Sequence, residues 1–98
     1  MDKITTTIKQ EWLKKIANWT KRVEYRELKP YWIMRLSQVR VPFLLRLING
    51  MRPNAPEITV IVTKVRKNSR SRQFELVLGK IIELKHWSVK FERPTMRT

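Results

Sequence analysis

A chain of 98 residues has room for one domain with a single modest core, and its 22 Lys and Arg against 8 Asp and Glu leave a formal charge of +14. So large an excess points to an anionic partner, whether nucleic acid, an anionic membrane surface or an acidic protein. The lack of cysteine excludes disulfides and thiolate chemistry, the longest apolar stretches (43–48 and 58–62) are too short to cross a bilayer, and neither the basic amphipathic helix nor the lysine block of a membrane-surface reader is present.

In chain order, Met1 to Thr7 lacks the apolar run of an export signal, which with the missing disulfides predicts a cytoplasmic protein. Thr7 and Gln10 have capping-box spacing, and Ile8, Trp12, Leu13, Ile16 and Ala17 recur at helical intervals with Glu11 and Lys15 on the polar side. Residues 8–18 therefore read as one amphipathic helix, with Trp12 in the core. From Lys21 to Leu28 the pattern alternates, Val23 and Tyr25 on one face and Arg22, Glu24 and Arg26 on the other, which predicts a strand with one charged face. Pro30 ends it, and Trp32, Ile33 and Leu36 give Tyr31–Ser37 the spacing of a short helical turn.

Phe43–Ile48 is apolar except at Arg46 and suits a strand covered on both sides. Asn49-Gly50 tolerates positive φ, and the bend continues through Pro53 and Pro56. Ile58–Val65 and Phe74–Leu84 read as two further strands, with Gly79 permitting a kink or bulge. Residues 66–72 between them read as a polar, basic hairpin loop. Trp87 is expected to pack, and the tail 92–98, with Pro94, to be loosely held. One early helix, about five strands and short connections predict a mostly β, α+β chain folded as a single domain over 1–98, a small and partly closed β-barrel.

The run Ile16-Ala17-Asn18-Trp19-Thr20-Lys21-Arg22-Val23-Glu24-Tyr25-Arg26 resembles the signature of the ASCH domain family, in which a helix and a tight turn lead through G-x-K-x-x-E-x-R into a strand. Lys29-Pro30-Tyr31-Trp32 with Arg35-Leu36, the segment 43–50 and Leu78-Gly79-Lys80-Ile81-Ile82 resemble later parts of that family, so most of the chain is covered. The resemblance implies a PUA-like β-barrel, related to modules that bind RNA or modified bases, with Lys21, Glu24 and Arg26 lining a cleft beside the first helix. Two departures stand out. Trp19 or Thr20 takes the place of the family's turn glycine, and Glu24 stands where an acetylcytidine-deacetylating branch has a threonine nucleophile, so that activity is not carried over.

Residues two apart on a strand lie roughly 6.6 Å apart on one face, so Glu24 and Arg26 point the same way. A nucleotide suits this set, with Lys21 and Arg26 on phosphate and Glu24 accepting from a base edge. By itself the Glu24–Arg26 spacing also reads as an ordinary exposed ion pair; the resemblance favours the cleft. Trp19, Tyr31 and Trp32 stand beside Lys21, Arg22, Lys29 and Arg35, and read either as packing or as platforms for unstacked bases. Tyr25 belongs to the same candidate surface. Lys64, Arg66, Lys67, Arg70 and Arg72 form an acid-free run that would extend a phosphate track. His86, the lone histidine, has no partner for a metal site, and no cofactor is expected.

These readings lead to an RNA-binding domain taking single-stranded RNA or a nucleotide into a basic cleft, with DNA left open. Two alternatives accompany it. One is metal-independent cleavage of single-stranded RNA, with Glu24 as base and Lys21 or Arg26 on the phosphorane. The other is a regulatory factor whose basic surface meets an acidic protein.

Overall fold

The computed structural model describes residues 1–86, so the expectations for Trp87 and for the tail 92–98 fall outside the described residues. The chain runs β1 (Lys3–Thr7), α1 (Gln10–Ala17), β2 (Val23–Glu27), α2 (Pro30–Ser37), β3 (Phe43–Ile48), β4 (Glu57–Asn68) and β5 (Gln73–Lys85). The strands form a five-stranded sheet in the order β1-β3-β4-β5-β2, with β1 parallel to β3 and the other neighbours antiparallel. The fold is therefore mostly β with two short helices. Among the described residues no backbone ladder joins the outer strands β1 and β2, so the sheet is not closed into a barrel.

The register explains where the core sits. Ile4, Leu45, Val60 and their neighbours Phe43, Leu47, Ile58 and Val62 occupy one face of β1, β3 and β4. Phe74, Leu76 and Leu78 continue that face along β5, and all are buried. Leu13, Ile16 and Ala17 of α1 and Trp32 of α2 cover it. Filling this face with aliphatic side chains drives the fold, each one removed from water contributing roughly 1.5–3 kcal/mol. The opposite face is mixed, as the half-buried Leu44, Arg46 and Ile48 show, so β3 has one fully buried side rather than two.

Three local expectations change. Thr7 does not cap α1, because pairing with Ile48 draws it into β1; the helix begins after Lys9, whose side chain makes no capping bond. The seven-residue basic loop shrinks to 69–72, since Arg66, Lys67 and Asn68 pair with Glu75, Phe74 and Gln73 as part of β4. Asn68 Oδ1 closes the turn by accepting from the N–H groups of Arg70 and Ser71, both at 3.1 Å. The first strand, β1, was concealed by its threonines.

The irregularity expected at Gly79 is present. Between the pairs Val60↔Ile81 and Val62↔Leu78, β5 uses one more residue than β4. A Cβ at Gly79 would come within 2.9 Å of Thr63 Cγ2, so the bulge fits a residue without a side chain there.

On the mixed face Arg46 grips the buried Glu57 with two hydrogen bonds, Nε to Oε1 at 2.7 Å and Nη2 to Oε2 at 2.9 Å. The bonds from Arg46 hold the Glu57 carboxyl below its ordinary value against the opposing pull of desolvation. A carboxylate with a lowered folded-state pKa stabilises the protein above its unfolded pKa, and the benefit is lost as pH falls through the acid range. Glu57→Gln should accordingly cost about 1–2 kcal/mol at pH 7, with Arg46 partly solvated. Melting curves should show that difference fading as pH falls through the acid range, as protonation makes the Glu57 side chain neutral like glutamine.

Candidate nucleic-acid interface

Strand β2 places Glu24 and Arg26 on the core-bearing face, in cross-strand rows with Leu76 and Phe74. Glu24 is only 5% exposed. A carboxylate there requires positive partners, and two are present. Lys21 Nζ lies 3.5 Å from Oε1, and the Arg26 guanidinium donates to Oε2.

Arg26 has a second task. Its Nη2 donates to the Thr7 carbonyl at 3.0 Å, and Nη1 stands 3.5 Å from Thr6 Oγ1, so one side chain of β2 reaches the far edge strand β1. The guanidinium also lies over Trp32, 5.2 Å from the ring centroid, while its buried Nε has no acceptor among the described residues. Trp32 is 8% exposed, which settles it as packing.

Beside this seam opens a cleft of about 620 Å³. Glu24 and Arg26 line its floor, Lys9 and Trp12 of the α1 end form one wall, and Asn49, Gly50 and Met51 of the β3–β4 connection form the other. Asn49 fixes that connection by donating from Nδ2 to the Ile8 carbonyl at 2.9 Å. Gly50 has φ +112°, a value other residues rarely adopt.

Trp12 departs from expectation. It is 38% exposed at the border of the α1 apolar stripe, with Lys15 Nζ at 4.9 Å and Lys21 Nζ at 5.3 Å from its ring centroid. The Lys21 ammonium also lies 5.0 Å from the Tyr25 centroid. It thus sits among Glu24, Trp12 and Tyr25, where a cation is attracted by a carboxylate and by two ring faces.

The turn between α1 and β2 is built on Trp19, which adopts φ +69° immediately after the C-cap Asn18. Glycine is the usual residue at such a position. Of the two residues that could stand for a turn glycine, Trp19 is the one with left-handed backbone. Its ring stays outside, with the Arg22 guanidinium 4.2 Å from the centroid and Arg22 Nη2 donating to the Leu78 carbonyl at 3.1 Å.

The other candidates divide. Lys29 pairs with Glu27 in solvent, and Arg35 donates to the Tyr31 hydroxyl at 2.7 Å on the outside of α2, so neither contact reaches the cleft floor. Lys67 shares a cross-strand row with Phe74 and Arg26, on the face of the cleft. Arg66 lies in the row of Glu75 and Tyr25, and Lys64 in that of Val77 and Val23, both on the opposite face. Arg70 and Arg72 are in the turn. The basic run is therefore split between two faces rather than forming one track.

No group of three metal-binding side chains occurs among the described residues. No helix there is long and apolar enough to cross a membrane. Comparison with known proteins finds no matching family model, no similar curated protein and no similar solved structure.

Arg26→Ala should cost about 2–4 kcal/mol in urea unfolding, because it strands a buried carboxylate with Lys21 alone. Adding Glu24→Gln to that variant should recover part of the loss. Simple additivity of the two changes would show that the pair is not coupled.

Proposed function

We propose that this protein binds single-stranded nucleic acid, RNA by preference, and that one base enters the cleft beside Trp12 with its edge toward Glu24. The observation that carries this reading is a buried carboxylate at the floor of an open cleft whose wall is an exposed indole flanked by lysines. Each carboxylate oxygen has two acceptor sites, so Glu24 keeps capacity for a base N–H after binding Lys21 and Arg26. Trp12 offers a stacking face, Lys9 lines the cleft, and Lys21 stands beside it on Glu24, so both supply positive charge for phosphate. The formal charge of +14 adds long-range attraction to any polyanion.

The preference for RNA rests on the ASCH-type resemblance of residues 16–26. In this reading the open sheet is a PUA-like barrel whose last gap is bridged by Arg26 in place of a ladder. Cations on both oxygens suit Glu24 to accepting hydrogen bonds more than to removing a proton, which makes the site one for binding before cleavage.

Fluorescence anisotropy with a short single-stranded RNA should show binding that weakens steeply with salt, the logarithmic slope being about −0.7 per phosphate contacted. Trp12→Ala should lower affinity by about 1–3 kcal/mol without unfolding the protein, since the ring is at the surface. A response flat in salt and indifferent to Trp12 would sink the proposal, and selective binding of an acidic protein instead would replace it.

A further inference from the structure

A second depression of about 310 Å³ lies on the other side of Trp12, lined by Lys15, Lys21, Arg22 and Tyr25 together with the indole itself. Trp12 and Lys21 thus border both hollows: Trp12 lines each of them, and Lys21, which lines the second, is paired with the Glu24 of the first. The second hollow has no carboxylate in its lining. Its large flat surface is the Tyr25 ring, 47% exposed, and its charges are cations.

We infer that the strand occupies two adjacent subsites, one base beside Trp12 in the first cleft and the next on Tyr25 in the second, with the connecting phosphate on Lys21. This rests on the nucleic-acid reading above and extends it to a footprint of at least a dinucleotide. Three features argue for it. The Lys21 ammonium is within reach of both rings, 5.3 Å from the Trp12 centroid and 5.0 Å from that of Tyr25, so a phosphate there is placed between two stacking faces. Among the described residues one carboxylate oxygen contacts this ammonium, which leaves donors for a phosphate. The subsites also differ in kind. The first has a buried carboxylate acceptor that can discriminate base edges, whereas the second is lined by rings and cations without a carboxylate, so it accepts any base.

Beyond Tyr25 the path is marked by charge. Arg66 shares its cross-strand row and Lys64 the neighbouring one, on the face opposite the cleft. The strand therefore passes around the free edge of β2 from one face of the sheet to the other. Of the divided basic residues, Lys64 and Arg66 then lie on the Tyr25 side of that course, Arg66 beside its partner Glu75.

The test is competition against a fluorescent single-stranded RNA octamer, using 5′-mononucleotides, dinucleotides and dinucleotides with an abasic second position. For the unaltered protein the dinucleotide should compete at about tenfold lower concentration than the mononucleotide, and the abasic form should lose that gain. Tyr25→Ala should remove the dinucleotide's advantage, so that one and two nucleotides compete alike, while Tyr25→Phe should retain the gain. Equal affinity of the unaltered protein for one and two nucleotides, or a Tyr25→Ala variant that keeps the dinucleotide's advantage, overturns the second subsite and leaves the first standing. Failure of the octamer itself to bind overturns both.

Discussion

A carboxylate removed from water is tolerated only when cations and donors replace the lost hydration, and an isolated one costs several kcal/mol. Glu24 sits under that constraint on the face of the sheet that otherwise holds Leu76, Phe74 and the aliphatic core. Its needs dictate its surroundings. Lys21 must turn inward from the α1–β2 connection, and Arg26 must lie alongside, where its remaining donors find Thr7 and its flat face finds Trp32. The left-handed turn at Trp19 sets the approach of Lys21, so a backbone feature outside the sheet contributes to neutralising a charge within it.

That arrangement accounts for the character of the site. Hydrophobic residues at 24 and 26 would have extended the core to the edge of the sheet and filled the seam. Charged residues instead leave a polar-floored opening between α1 and the Asn49–Met51 bend, with Trp12 stranded at its border. The exposed rings Trp12, Trp19 and Tyr25 each have a cation against them, so aromatic surface and positive charge occur together across this end of the molecule.

Much of this was legible in the residues themselves. Period-two alternation from Lys21 to Leu28 gave the strand and put Glu24 and Arg26 on one face, because side-chain direction in a strand depends only on parity. Gly79 marked the bulge and Asn49-Gly50 the bend. What escaped depends on partners distant in sequence. The strand at Lys3–Thr7 has Ile4 as its single buried apolar residue, and its β-branched threonines were the available signal. Trp12 lies on the apolar side of the helix by spacing, yet spacing does not say how far the covered surface extends, and the ring borders an open cleft instead. Arg66 and Lys67 looked like loop because both faces of the hairpin are solvated there, so polarity no longer separates strand from turn. The Arg46–Glu57 pair needed the β3–β4 register, which no local pattern supplies.

The clasp formed by Arg26 has a mechanical implication. Among the described residues the hydrogen bonds between β1 and β2 come from the Arg26 side chain, whereas every other pair of neighbouring strands is stitched by a run of amide bonds. Parting these two lips breaks no ladder, so widening the mouth takes the loss of side-chain contacts and of no amide pairing. The sheet boundary without a ladder is thereby also the one that borders the opening, so a bulky guest there would meet side-chain contacts rather than amide pairing.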